Sequence, residues 1–298
     1  MSDITILDGG MGQELISRSP DEPTPLFGTQ ILIDHPQIVS DVHADYFAAG
    51  ADIATTNSYA LLHDRLEKHD LDHRFHELHQ AACNAAIAAR DAHGAGKVAG
   101  SIGPLGWSYR ADMAPPIDEA AALYAEIAVL QAPMVDMIMC ETMSGLDQAE
   151  GALKGAKQGD KPVWICCSVD DEDGTKFRNG DPIEGILKLA ETYEPAAVLI
   201  NCSIPEAVTQ ALPLISNKGI PTGAYANGFT KITKEFASGQ TSVDLLQARQ
   251  DLTPVAYADF TERWAEMGAT IIGGCCEVGP AHIHAIHDRL SRAGYKIV

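Results

Sequence analysis

Basic residues are scarce in this chain: 21 Lys and Arg stand against 41 Asp and Glu, a formal net charge of −20 over 298 residues. Nucleic acids and anionic membrane surfaces are both recognised through basic patches, so neither is expected as a partner. Long apolar runs are missing too, and no window approaches the ~18 uninterrupted apolar residues of a membrane span. The opening residues Met1-Ser2-Asp3-Ile4-Thr5-Ile6 lack the basic start and apolar stretch of a secretory signal. No Ser/Gly linker or low-complexity tract marks a boundary, so residues 1–298 are expected to form one domain. A disulfide framework is also lacking. The seven cysteines are an odd number and include two adjacent pairs, which suits reduced thiols in the cytoplasm.

What is present is alternation. Eight apolar, strand-like runs occupy residues 4–7, 51–54, 97–101, 135–140, 162–169, 196–200, 221–226 and 269–272. Helical periodicity lies between them: Ile38, Val42, Tyr46 and Ala49 share one face over 36–49, and Leu123, Ile127 and Leu130 do so over 118–130. Asp34, Ser144 and Asp181 stand as N-cap candidates before the following helices. Eight strand-then-helix units predict an α/β fold, a single (β/α)8 TIM barrel. The connections 104–117, 170–180 and 228–252 are longer than the usual 2–6 residues and follow strands, so they shape or cover a site, or serve as surface or oligomer contacts.

Polar residues collect where the apolar runs end: Asp8-Gly9-Gly10, Thr55-Thr56-Asn57, Ser101-Ile102-Gly103, Glu141-Thr142, Ser168, Asn201-Cys202, Asn227 and Cys275-Cys276. A barrel of this kind carries its chemistry at the carboxyl ends of its strands. Adjacent residues on a regular strand face opposite sides, so Cys275 and Cys276 share a ligand only if the backbone turns, which Gly273-Gly274 allows. Together with Cys202 they form a soft-metal site, zinc with one open coordination position, or else three unrelated core cysteines. Cys166-Cys167 lies inside a strand run and is read as core, as are Cys83 and Cys140. His63, His69, His73, His76 and His79 are read as a solvated face, and so are His282, His284 and His287. Asp170 to Asp173 is read as a solvated acidic loop.

Taken together these stretches resemble the homocysteine S-methyltransferase family of zinc-dependent thiol methyltransferases. The likeness runs through Leu7-Asp8-Gly9-Gly10-Met11-Gly12-Gln13-Glu14-Leu15, through Ala51-Asp52-Ile53-Ala54-Thr55-Thr56-Asn57-Ser58-Tyr59, and through Ser101-Ile102-Gly103-Pro104. It continues in Glu141-Thr142, Asn201-Cys202, Tyr225-Ala226-Asn227 and Gly273-Gly274-Cys275-Cys276. The resemblance implies that Cys202, Cys275 and Cys276 hold Zn2+, and that Asp8 and Glu141 receive the amino group of homocysteine. It also places the Gly9, Gly10 and Met11 amides near the homocysteine carboxylate, and Asn227 close to the metal. Glu277-Val278-Gly279-Pro280 departs from the family's usual Thr-Thr-Pro after the double cysteine, and Ala226 replaces its usual Pro.

A thiol with pKa near 8.5 is largely protonated at neutral pH, and zinc binding deprotonates it. Methyl transfer from an onium donor then needs alignment rather than a general base. The resemblance favours S-methylmethionine or S-adenosylmethionine as donor, with betaine second because betaine-using members usually carry a longer C-terminal extension. Tyr59, Trp107 and Tyr225 are candidates for receiving the donor cation through cation–π contact, or for plain pocket wall. The expected partners are these small molecules, with a homo-oligomer left open. The alternatives are a non-catalytic or regulatory zinc barrel, and the same chemistry on another thiol or selenol.

Overall fold

The computed structural model describes residues 3–22, 24, 26, 28–232 and 246–298. Eight parallel strands carry the fold: β1 (Asp3–Ile6), β2 (Ile53–Thr55), β3 (Lys97–Ile102), β4 (Met137–Met143), β5 (Val163–Cys167), β6 (Ala197–Asn201), β7 (Thr222–Tyr225) and β8 (Ile271–Ile272). They neighbour one another in chain order, and β8 pairs back onto β1 through Thr5 with Ile271 and Ile6 with Ile272. Between β1 and β2 the ring closes by a parallel bridge from Leu7 to Ile53, with Asp8 N donating to Ile53 O at 3.1 Å and Asp52 N to Ile6 O at 2.7 Å. A ninth short strand, β9 (Lys296–Ile297), adds to the outside of β1. All eight expected strands are present, in the expected (β/α)8 barrel.

The strand parity sets two cores. Leu7, Ile53, Ala99, Met137, Met139, Cys166, Leu199, Tyr225 and Ile271 fill the barrel interior, while Ile6, Val98, Ile138, Cys140, Ile165, Cys167 and Ile200 pack outward against the helices. Side chains two apart share a face, so the inward series Met137, Met139 continues to Glu141 and the series Ile53 to Thr55. The inside is apolar below and polar at the carboxyl ends. Cys166 and Cys167 fall on opposite faces, both buried, as a regular strand requires.

The helix at 36–49 is Pro36–Ala48 and that at 118–130 is Ile117–Gln131. The capping assignments differ from expectation. Asp34 ends the preceding helix Gly28–Asp34, and neither His35 nor Gly145, the residues at the two helix starts, caps with a side chain. Asp181 does cap a helix, though not its own: Oδ2 accepts the amide of Leu146 at 3.0 Å, the first residue of Leu146–Ala156. Thr253 caps Pro254–Glu266 by accepting from Ala256 N at 3.3 Å.

Candidate metal centre and substrate pocket

Cys202 follows β6 and adopts φ +48°, a left-handed turn unusual for a non-glycine residue. Its amide donates to Tyr225 O at 3.2 Å, and Cys275 N donates to Ala226 O at 3.0 Å, so the end of β7 anchors both thiol-bearing turns. The two glycines before the pair are sterically required. A Cβ on Gly273 would lie 2.5 Å from Leu7 Cβ, and one on Gly274 would lie 2.1 Å from a methyl carbon of Val278. The chain therefore turns back against itself after β8, and the sulfurs of Cys202, Cys275 and Cys276 lie within 4.8 Å of one another.

Cys202 and Cys275 are bonded as a disulfide, with Cα atoms 5.8 Å apart, and Cys276 is free. This corrects the expectation of seven reduced thiols. The convergence that lets three sulfurs share an ion also lets two of them bond. Burial pushes the Cys276 thiol up to about 12, the neighbouring Glu277 carboxylate adding to the rise.

Two buried carboxylates at the carboxyl ends of β1 and β4 lie close enough to feel each other's charge. Asp8 is 2% exposed; its Oδ2 accepts from Thr55 N at 2.7 Å and its Oδ1 from Thr55 Oγ1 at 2.9 Å. Glu141 is 9% exposed and accepts from Ser101 Oγ and from Tyr225 OH. Glu141 sits where the β4–β5 register shifts between Cys140 and Met143, and Thr142 beside it has φ +63°. Such a bulge re-aims a side chain. Burial raises both carboxyls above the usual range, and the charge of Glu141 raises Asp8 further.

The Gly9-Gly10 turn is pressed against the cysteine loop. A Cβ on Gly9 would meet Val278 O at 1.9 Å, and one on Gly10 would meet Cys275 O at 2.7 Å. Gly10 N already donates to Val278 O at 3.0 Å, and the Tyr46 hydroxyl donates to Gly10 O at 3.1 Å. The Gly10 amide is thus engaged with the cysteine loop. Met11 begins the helix Met11–Arg18, at the end where helix amides collect positive charge.

Asn227 is fully buried between the two thiol turns. Its amide N donates to Ser203 O at 3.0 Å, its Oδ1 accepts from Phe229 N at 3.1 Å, and its Nδ2 has no partner among the described residues. Of the aromatic candidates, Tyr225 is committed to Glu141. Tyr59 donates to or accepts from Ser108 Oγ at 2.8 Å, and the Arg65 guanidinium lies over the rings of Tyr59 and Trp107 at 5.5 and 5.6 Å. A protein cation thus already covers one face of each of those two rings.

Two residues at the mouth had no signal in the sequence. Arg178 and Asp171 form a buried ion pair at 3.0 Å, and Arg178 Nη2 also donates to Cys202 O at 3.1 Å. Asp171 therefore corrects the reading of the acidic loop as solvated. His79 corrects the reading of a solvated histidine face: it is fully buried, with Nε2 at 2.9 Å from Leu61 O and Nδ1 at 3.0 Å from Gln131 Nε2. Gln131 in turn donates to Ser58 Oγ, which donates to Ser101 O, so a buried polar chain runs behind the residue that holds Glu141. Cys83 and Cys140 are core, as expected. Residues 233–245 of the expected covering connection 228–252 lie outside the described residues.

A parallel (β/α)8 barrel with converged thiols and two buried carboxylates at the carboxyl ends of its strands has the arrangement of an enzyme site able to hold a soft metal ion. The homocysteine S-methyltransferase family model matches residues 5–290, and the chain belongs to that family. A homocysteine S-methyltransferase of Escherichia coli (strain K12) is 27% identical over 96% of this chain and 95% of its own length. A selenocysteine Se-methyltransferase of Brassica oleracea var. italica is 25% identical over 96% of this chain and 88% of its own. The crystal structure of the E. coli homocysteine methyltransferase MmuM in metallated form superposes with a TM-score of 0.80 at 27% identity, covering 97% of this chain and 96% of that one. Its oxidised form gives the same TM-score. Among the described residues no helix is long and apolar enough to cross a membrane.

Proposed function

We propose that the chain transfers a methyl group from a small onium donor to the thiol of homocysteine, giving methionine, with Zn2+ held by Cys202, Cys275 and Cys276. The observation that carries the reading is the meeting of three sulfurs within 4.8 Å at the mouth that also holds Asp8 and Glu141. Three soft sulfur donors suit zinc, and a three-ligand set leaves the open position of a reactive rather than a structural site. The Cys202–Cys275 bond must be reduced before both sulfurs act as ligands, which fits a reducing cytoplasmic setting.

Zinc bound there would hold the acceptor sulfur as thiolate at neutral pH. The chain's own residues bind and orient. Asp8, fixed by Thr55, and Glu141, fixed by Ser101 and Tyr225, accept the acceptor's ammonium group. The first-turn amides of Met11–Arg18, at the positive end of that helix, receive its carboxylate in this reading. In the displacement the thiolate lone pair forms the new S–CH3 bond while the donor's C–S or C–N bond pair returns to the positive heteroatom. The donor leaves neutral and no protein base is needed. Aligned attack supplies up to about 7–11 kcal/mol.

S-methylmethionine and S-adenosylmethionine rank ahead of betaine as donors. A selenol acceptor is a second reading, favoured by the relatives named as selenocysteine methyltransferases. The test is to reduce the purified protein, reload it with zinc, measure metal content, and assay each donor against homocysteine and selenocysteine by mass spectrometry. About one zinc per chain and methionine from a sulfonium donor are expected. Protein that takes up no metal after reduction, or that keeps full activity as Cys276→Ala, refutes the zinc-thiolate reading.

A further inference from the structure

The left-handed turn at Cys202 is held by a buried ion pair that the reaction chemistry does not call for. Arg178 and Asp171 are 9% and 7% exposed at the side chain and meet through two hydrogen bonds, at 3.0 and 3.3 Å. Burying two charges costs several kcal/mol per ion unless their remaining donors and acceptors are filled. Here the groups that fill them belong to the mouth. Arg178 Nη2 donates to Cys202 O at 3.1 Å, and its Nε donates to Ser168 Oγ at 2.7 Å. The Ser168 hydroxyl lies 3.3 Å from Cys202 O and donates to it, so the carbonyl receives two donors, one of them cationic.

Asp171 spreads the anchor further. Oδ1 accepts the amide of Ile204 at 3.1 Å, and Oδ2 accepts that of Ile232 at 2.9 Å. Tyr109, from the connection after β3, covers the guanidinium face at 4.7 Å. A non-glycine residue at φ +48° is held in a sparsely populated conformation that persists only when its surroundings over-determine it. At Cys202 the amide is fixed by Tyr225 O and the carbonyl by Arg178 and Ser168.

We infer that Arg178 is the positioning residue for Cys202, aiming its sulfur at Cys275 and Cys276, and that Asp171 sets Arg178 in place. The inference rests on the proposed reading of these three cysteines as one ligand set. Arg178 touches neither substrate nor sulfur; it acts through the Cys202 peptide.

The test compares wild type with Arg178→Met and Asp171→Asn. Arg249→Met serves as control, since Arg249 also makes ion pairs, with Glu206 and Asp251, but its side chain makes no hydrogen bond or ion pair with Cys202. Two readouts are taken alongside thermal melting. The first is zinc affinity of reduced protein by chelator competition, with the thiolate charge-transfer band of the Co2+ form. The second is the metal-free equilibrium in which the Cys202–Cys275 disulfide and two glutathione thiols exchange with two protein thiols and glutathione disulfide.

Loss of a partner behind a ligand typically costs 10–100-fold in metal affinity, and that loss is expected for Arg178→Met and Asp171→Asn, with an altered Co2+ band. The disulfide equilibrium should shift roughly 10-fold toward the dithiol as Cys202 loses its preorganised aim. Arg249→Met should lower melting temperature while leaving both readouts as in wild type. Variants of Arg178 and Asp171 that track Arg249→Met in both readouts overturn the inference. If Arg178→Met does not fold, Asp171→Asn alone decides. Wild type that binds no zinc, with the glutathione equilibrium still displaced in the variants, removes the ligand reading and leaves the positioning role standing.

Discussion

The phenol of Tyr225 donates to Oε2 of Glu141 at 2.9 Å, joining the end of β7 to the end of β4 across the barrel mouth. Ser101 holds the other oxygen, so the carboxylate is fixed in rotation before any substrate arrives. A hydrogen bond to a charged group contributes about 1.5–3 kcal/mol, and 1.4 kcal/mol is tenfold in binding. Tyr225→Phe is therefore expected to raise the acceptor KM about tenfold, with kcat and the donor KM little changed. Steady-state kinetics with each substrate varied separately distinguish this from a donor-pocket role, in which the donor KM would move instead.

Burial raises both Asp8 and Glu141, and each is most useful to an ammonium group when ionised. Acceptor binding should thus weaken as pH falls, beginning at a pH above the ordinary carboxylate range. Glu141→Gln should bind the acceptor more weakly than wild type where Glu141 is ionised, the difference closing as pH falls, and so show a shallower pH dependence. Acceptor KM measured across pH 5–8 (about the range where most proteins stay folded) checks this. A wild-type profile parallel to that of Glu141→Gln excludes Glu141 as the ammonium partner.

The Gly10 position has no room for a side chain: a Cβ there would sit 2.7 Å from Cys275 O and 3.0 Å from Cys276 Cα. Both neighbours are backbone and cannot swing aside. Gly10→Ala must push the cysteine loop away from the Asp8 turn, which disturbs ligands and substrate carboxylate together. Melting temperature should drop by several degrees, in line with a strain cost of about 1–3 kcal/mol. Zinc content of the reduced, reloaded variant should fall with it. Retention of full zinc content would mean that the loop tolerates the shift.

How much of this was legible depended on whether the determining contact was periodic or not. Strand parity alone places Met137, Met139 and Glu141 on the inner face, separates Cys166 from Cys167, and brings polar strand ends to one rim. Distant sulfurs on the turns after β6 and β8 then meet because the barrel order puts only β7 between those strands. The ion pair of Arg178 with Asp171 obeys no period; it depends on the path of an irregular connection. By sequence Asp181 suits the cap of the helix after it, but the fold offers it the amide of Leu146, 35 residues upstream. His79 sits among charged neighbours in sequence, and yet its helix face turns toward Gln131. Tertiary packing made those choices.

His43 gives the last prediction, because both its ring nitrogens are buried and neither has a partner among the described residues. Burial lowers its pKa from 6.5 to about 4. The native state therefore holds it neutral, while the unfolded chain takes up a proton below pH 6.5. Its contribution to stability is complete above that pH and is lost progressively as pH falls toward 4, by about 3 kcal/mol. His79, lowered to about 4 as well, acts in the same direction. The raised carboxyls of Asp8 and Glu141 act oppositely, because the native state binds their protons more readily, so the wild-type slope alone does not isolate the histidine. His43→Leu does. Leucine of similar bulk removes two unsatisfied nitrogens and the titration together, so the variant should be more stable than wild type at pH 7 by about 1 kcal/mol. That advantage should widen between pH 6.5 and 4. Denaturant unfolding of both proteins at pH 7, 6, 5 and 4.5 measures it; a constant difference across the series would mean that His43 does not titrate on unfolding.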